Sequence, residues 1–170
     1  MDSGNHTEFL LQGLSEIWEM QVFFCVLLLI FYVIILPGNI LIIVTVLKDP
    51  QLGSPMFFFL GNLALMDICY SFVTPPKMIV NLFSGYQTIS FKGCMIQLFF
   101  IHFLGGAEIS LLISMALDRY VAICHPLYYV TVITKPACWV LVVGSWAGGF
   151  LHSIIQVILI FPLPFCGPNK

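Results

Sequence analysis

Charged side chains are scarce in this chain, and their scarcity excludes most soluble folds. Only 8% of the 170 residues are charged, whereas a soluble globular domain carries about 25%. This small number of charges cannot cover the surface of a water-soluble fold. The sequence therefore predicts that the chain lies in lipid. The formal net charge of −2 also excludes the clustered basic surface that nucleic acid requires.

Patterns that carry catalysis or metal binding are also absent from the sequence. There is no nucleophile–base constellation, no phosphate-binding loop and no metal-ligand cluster, so neither an enzyme nor a cofactor is predicted. The histidines at 6, 102, 125 and 152 are scattered, and packing or a single polar contact is the favoured interpretation for the two that lie within apolar segments. The first 19 residues lack the basic start and cleavage site of a secretory signal.

What the chain does contain is four apolar segments long enough to cross a bilayer, which takes about 20 helical residues. We predict spans at about 20–47, 55–79, 94–120 and 137–161, after a tail over 1–19. The connections between them are short and place successive helices side by side and antiparallel. The predicted fold class is therefore all-α, a polytopic bundle of four transmembrane helices.

The orientation of the chain is not decided by its basic residues, because three lie on each side of the predicted membrane. The acidic tail favours an extracellular N-terminus. It also carries the sequon Asn5-His6-Thr7, which makes Asn5 a candidate glycosylation site. We expect a multi-pass protein of the cell membrane with its N-terminus outside.

Two carboxylates, Asp67 and Glu108, fall near the middle of neighbouring predicted spans. A charge at that depth costs at least about 2.5–3.5 kcal/mol. We expect the two to share protons, a cation or a polar network with Asn39, Asn62 and Ser110. Carboxylates that are separately neutral and hydrogen-bonded, or that lie on a proton or ion pathway, remain the alternatives.

An adjacent charged pair, Asp118-Arg119, lies at the end of the third span in the stretch LDRYVAICHPL. There Arg119 can extend its side chain to water and lipid headgroups. One interpretation is an interfacial ion pair without further function. The other is a latch that holds Arg119 in one state and frees it to meet a cytoplasmic partner in another.

The wider motif MALDRYVAICHPLYY resembles the end of the third helix in rhodopsin-like G-protein-coupled receptors, and specifically the odorant-receptor signature. Gly38-Asn39, the stretch SPMFFFLGNLALMDICYS around Asp67, the segment TPPKM and Ser145-Trp146 also match that family in order and spacing. The resemblance covers essentially the whole chain and favours the latch interpretation. Gly53, Phe57 and Leu117 are mild departures from the family pattern.

The resemblance implies a small volatile odorant as ligand and a heterotrimeric G protein of the stimulatory, olfactory type as partner. Asp118, Arg119 and Tyr120 would form the switch that couples to the G protein. One face of the third helix would line the odorant pocket, with helix packing as the alternative for its glycines. That face consists of Leu98, Ile101, His102, Gly105, Gly106 and Ile109.

The family has seven membrane helices, whereas this chain stops after the fourth at PLPFCGPNK. We therefore expect a shortened receptor that is inactive alone. In the resembled family, the cysteines that match Cys94 and Cys166 pair with residues further along the chain, so no native-like Cys94 bridge is expected.

Two other classes of protein remain as alternatives. A four-span channel or transporter component would place Asp67 and Glu108 on an ion path. An assembly partner would bind full-length receptors through its helices. Neither explains LDRYVAIC and PMFFFL together, so the receptor interpretation is preferred.

Overall fold

Four long helices dominate the fold, as the sequence predicts. The computed structural model describes residues 8–10, 18–49, 53–73 and 88–161. The helices are α1 (Trp18–Lys48), α2 (Pro55–Val73), α3 (Phe91–Cys124), the short α4 (Tyr129–Val132) and α5 (Lys135–Ile160). Two three-residue strands, β1 (Glu8–Leu10) and β2 (Thr88–Ser90), pair antiparallel and join the tail to the start of α3. The predicted all-α membrane bundle is confirmed, with this strand pair added to it.

Side-chain caps explain why two helices begin earlier than the apolar pattern alone indicates. The hydroxyl of Ser90 accepts a hydrogen bond from the backbone N–H of Gly93 at 3.1 Å, so α3 begins at Phe91. Thr134 caps α5 in the same way by accepting from the N–H of Ala137 at 3.4 Å. The predicted second span continues to 79, and its last part lies outside the described residues.

The outer surface of the bundle is apolar. Each of the four long helices is long and apolar enough to cross a membrane. Large side chains such as Val33, Leu41 and Val140 are between 65% and 71% exposed. Continuous apolar exposure of this kind is unfavourable in water but matches a lipid environment. The chain is therefore a multi-pass membrane protein.

Helix α3 lies at the centre of the described bundle. It packs most closely on α5 and also contacts α2, while α1 packs against α2. The core between α2, α3 and α5 contains the buried side chains of Phe59, Met66, Leu111 and Val142. Helix α3 is consequently held by neighbouring helices on two sides.

Small residues allow α3 and α5 to cross at close range. A Cβ atom added at the buried Gly149 would lie 2.5 Å from the backbone nitrogen of Ala107 and 2.8 Å from its Cβ. One added at Gly106 would lie 3.2 Å from the Cα of Gly149. Nearby, the buried hydroxyl of Ser153 donates a 2.6 Å hydrogen bond to the backbone carbonyl of Phe99. These contacts fix the register of α5 against α3.

Candidate functional site

The charged pair near the end of α3 forms an ordered ion pair. The side chain of Asp118 is only 1% exposed, and its Oδ2 accepts hydrogen bonds from Arg119 at Nε (3.0 Å) and Nη2 (2.6 Å). The Arg119 side chain itself is 48% exposed. The Arg119 side chain thus folds back toward Asp118. A buried carboxylate thus holds a cation that is itself half-exposed.

A tyrosine that the sequence analysis did not identify completes this ion pair. Tyr129, on the short helix α4, donates a hydrogen bond from its hydroxyl to Oδ1 of Asp118 at 2.8 Å. Burial, followed by this bond, raises the pKa of Tyr129 to about 12, so the phenol stays protonated at neutral pH. Both carboxylate oxygens of Asp118 are thereby satisfied, one by a cation and one by a neutral donor. The one hint in the sequence was that Tyr129, an aromatic residue with a hydroxyl group, closely follows the His-Pro turn.

The third residue of the predicted switch lies apart from the other two. Tyr120 is exposed, and its ring meets that of His125 edge-on with 5.7 Å between centroids. The structure therefore brings Asp118 and Arg119 together with Tyr129, while Tyr120 is directed to the surface just after the motif.

The three residues of the predicted intramembrane site line one cavity. Asn39 on α1, Asp67 on α2 and Glu108 on α3 border a space of ≈ 510 Å³. Tyr32, Tyr70 and Ser71 add hydroxyl groups to its wall, and the rest of the lining includes Leu28, Phe31, Ile35 and Ile101. Two carboxylates facing one space inside a bilayer repel each other unless a proton or a cation lies between them.

The other two polar residues proposed for this network bond within their own helices. Asn62 donates from its side-chain amide to the carbonyl of Phe58 at 2.9 Å. The Ser110 hydroxyl donates to the carbonyl of Gly106, also at 2.9 Å. Asn39 likewise donates from its side-chain amide to the carbonyl of Ile35 at 3.1 Å. This bond uses an N–H of Asn39, so its amide oxygen can still accept a hydrogen bond from another group.

The predicted ligand face of α3 is divided among three environments. Ile101 lines the polar cavity. Gly106 is covered by α5, and His102 lies beside His152 of that helix. Ile109 is exposed, and a Cβ at Gly105 would meet open space. The remaining residue, Leu98, accepts through its carbonyl a 2.9 Å hydrogen bond from Nδ1 of His102.

A second and larger cavity lies along the N-terminal half of α3, next to β2. Its volume is ≈ 680 Å³, and its walls come from α2, α3 and α5. Aromatic rings form much of the lining, and Gln97 contributes a polar group. The aromatic residues are Phe72, Phe100, Phe103 and Trp146. Apolar walls with few polar groups suit a small organic ligand, and sequence periodicity did not single out this side of α3.

The remaining predicted sites concern cysteines and the tail. Cys94 is half-buried near the start of α3 and carries a free thiol. Its candidate partner Cys166 lies outside the described residues, as does the predicted glycosylation site Asn5. Within the described ranges, no three His, Cys, Asp or Glu side chains form a group that could hold a metal ion.

Comparison with known proteins gives consistent matches. Residues 38–169 match the family described as 7 transmembrane receptor (rhodopsin family). The chain is 56% identical to Olfactory receptor 4M1 of Homo sapiens, an alignment that covers 100% of this chain and 55% of that protein. It is 55% identical to human Olfactory receptor 4N4 and 56% identical to Olfactory receptor 4M1 of Mus musculus, each over 96% of this chain and 52% of the relative. The chain thus spans about half the length of the curated relatives it matches.

Proposed function

We propose an odorant-receptor function for this chain, starting from the fact that it belongs to the rhodopsin family of seven-transmembrane receptors and to their olfactory branch. The ligand is a small volatile molecule, and the partner is a heterotrimeric G protein of the stimulatory, olfactory type. The observation that carries this proposal is the closed group of Asp118, Arg119 and Tyr129 at the end of α3, in a chain of that family.

The group at the end of α3 supports a two-state mechanism. In the described state Asp118 pairs with Arg119, and Tyr129 holds the carboxylate of Asp118 in place. A ligand that binds another arrangement of the helices more tightly shifts the population toward it. Arg119 then exchanges Asp118 for contacts with the G protein. Asp118, Arg119 and Tyr120 are the proposed coupling residues, with Tyr129 as an additional holding residue.

For the ligand, we propose contact with the face of α3 that carries Leu98, Ile101, His102, Gly105, Gly106 and Ile109. Its support is an apolar stretch of α3 with one imidazole, together with the cavity that Ile101 lines. An apolar volatile molecule gains affinity by leaving water, and a single polar group orients it. Further walls of the ligand pocket would come from helices that correspond to the unmatched half of the relatives.

For Asn39, Asp67 and Glu108, we propose a shared polar or cation site within the membrane. Their common cavity supports it, because two carboxylates at that depth need a proton or a cation between them. This observation also favours a second candidate function, a four-span component of an ion path. Ion flux through liposomes that contain the chain, and its loss in Asp67→Asn, would support that function. Absence of flux leaves the receptor function preferred.

We propose that the tail faces the exterior, so that Asn5 is glycosylated and Arg119 meets the cytosol. A glycosidase-sensitive shift in gel mobility that disappears in Asn5→Gln tests the first half. Thiol labelling at Cys124, which is exposed at the end of α3, tests the second half. A membrane-impermeant reagent should reach Cys124 only after the cells are permeabilised. Labelling of Cys124 in intact cells would contradict the proposed orientation and favour the opposite one.

The receptor function is tested with a chimera. Residues 1–170 are followed by the remaining portion of human Olfactory receptor 4M1, and cyclic AMP is measured over a panel of odorants. We expect at least one odorant to raise cyclic AMP, and Arg119→Ala in the same chimera to abolish the response while surface expression is kept. A chimera that reaches the surface and signals equally well with and without Arg119 would contradict the proposed switch.

Residues 1–170 expressed alone are expected to give no odorant response, since the pocket lacks most of its walls. A robust odorant-evoked rise in cyclic AMP from these residues alone would refute that expectation. Co-purification with a full-length receptor tests the remaining alternative, an assembly partner. Stable capture that survives stringent detergent washes would favour that alternative.

A further inference from the structure

We propose that His102 on α3 and His152 on α5 bind one divalent transition-metal ion between them, with Zn²⁺ as the reference ion. The two residues are distant in sequence; packing or a single polar contact is the prediction for each, and His102 also belongs to the predicted ligand face. The fold places their rings side by side across the α3–α5 crossing, with 5.9 Å between centroids. The proposal does not depend on G-protein coupling, but it shares His102 with the face of α3 proposed to contact the odorant.

The separation of the two rings matches that of a bridged metal ion. A zinc–nitrogen bond is about 2.0–2.1 Å long, and the centre of an imidazole ring lies about 1.1 Å behind its nitrogen. Two imidazoles on one ion therefore have ring centres about 5 Å apart at a tetrahedral angle and about 6.4 Å apart when linear. The observed 5.9 Å falls between these limits. An interplanar angle of 40° shows that the rings are tilted and not stacked.

The hydrogen bond of His102 sets the tautomer that a metal ligand needs. Its Nδ1 lies 2.9 Å from the carbonyl oxygen of Leu98. A carbonyl only accepts, so Nδ1 carries the hydrogen and Nε2 of the neutral ring keeps its lone pair. Metal-binding histidines typically donate their other N–H to a carbonyl or a carboxylate in this way.

Rigid packing presents both rings. The side chain of His152 lies over Gly106, where an added Cβ would come within 3.4 Å of its Cδ2. Just beside it, the contacts of Gly149 with Ala107 and of Ser153 with Phe99 fix the two helices against each other. Ligands on packed helices keep their geometry before the ion arrives, which lowers the entropy lost on binding.

The remaining coordination positions belong to water or to small ligands. In the described part of the chain no third His, Cys, Asp or Glu completes a metal-binding group. His152 is exposed, so the described helices do not cover its ring completely. Open positions of this kind distinguish an exchangeable site from a closed structural one. The expected consequence is reversible binding that links α3 to α5.

The test measures Zn²⁺ affinity of the full chain in detergent micelles, purified through a tag without histidine, by competition with a chromophoric chelator. We expect His102→Gln and His152→Gln each to weaken binding by at least about tenfold, which is about 1.4 kcal/mol. The double variant should be no weaker than either single variant, because both remove the same joint site. His125→Gln, at the far end of α3, is the matched control and should bind like the unaltered chain.

Unchanged affinity in either single variant would overturn the proposal. So would losses that add in the double variant, because they would mean two separate ions. A second measurement needs no variant: Cu²⁺ bound at one equivalent to the unaltered chain should show coupling to two imidazole nitrogens by electron paramagnetic resonance. Coupling to fewer than two nitrogens would equally refute a bridged ion.

Discussion

The close crossing of α3 and α5 predicts that one added methyl group at Gly149 destabilises the protein. In Gly149→Ala the new Cβ would lie 2.8 Å from the Cβ of Ala107, whereas carbon atoms in contact are about 3.5–4.0 Å apart. The helices must therefore separate by about 1 Å. Overpacking of this kind costs about 1–3 kcal/mol. We expect about 2–3 kcal/mol, because the obstructing atoms belong to the backbone and Cβ of Ala107 and cannot rotate away.

A thiol-reactive dye measures this loss directly. Cys25 and Cys138 are buried, so the dye reaches them only as the bundle opens on heating. For a chain of this length, about 2–3 kcal/mol lowers the melting temperature by about 4–12 °C. Gly144→Ala is the matched control on the same helix, since a Cβ there meets nothing within 4 Å. That variant should be neutral or more stable by up to about 1 kcal/mol, because Ala favours the helix over Gly.

The comparison of these two variants decides the prediction. If Gly149→Ala melts at the same temperature as Gly144→Ala, or higher, the close approach of α5 to α3 is not what holds the two helices together. If the melting temperature falls equally in both variants, then replacing any glycine of α5 lowers the stability. That result would also contradict the argument.

Other predictions concern the polar contacts of α3. Tyr129→Phe removes a donor to the buried Asp118 and should lower the free energy of unfolding by about 1.5–3 kcal/mol in the same dye assay, whereas Tyr128→Phe, at an exposed position, should not. The pKa of Tyr129 is raised to about 12, so the folded chain keeps a proton that the unfolded chain has released. The stabilising effect of Tyr129 should be complete below about pH 10 and lost as pH rises to about 12. Near-ultraviolet absorbance should show a late phenolate titration, which Tyr129→Phe removes. Ser153→Ala removes the hydroxyl bonded to Phe99 and should cost about 0.6–1.7 kcal/mol on melting, and Ser153→Thr, which keeps the hydroxyl, should recover part of it if the extra methyl is accommodated.

The sequence by itself determined that the chain lies in lipid, that four long helices cross it, and to which family the chain belongs. Four long apolar runs with almost no charge have no stable alternative to crossing lipid as helices, because every backbone group there must bond within its own segment. The same scarcity made Asp67, Glu108 and Asp118 conspicuous, since a charge in such a setting needs a physical reason. The placement of Asn39, Asp67 and Glu108 around one cavity agrees with that reasoning.

Only the tertiary structure decided which side chains meet across helices. Periodicity assigns residues to a face but does not say which neighbour covers it, so one predicted face of α3 became a cavity wall at Ile101, a helix crossing at Gly106 and an exposed surface at Ile109. The same holds for Tyr129 with Asp118 and for His102 with His152. Hydropathy fixes that a helix lies in the membrane, whereas its rotation and its partner depend on close contacts between small residues.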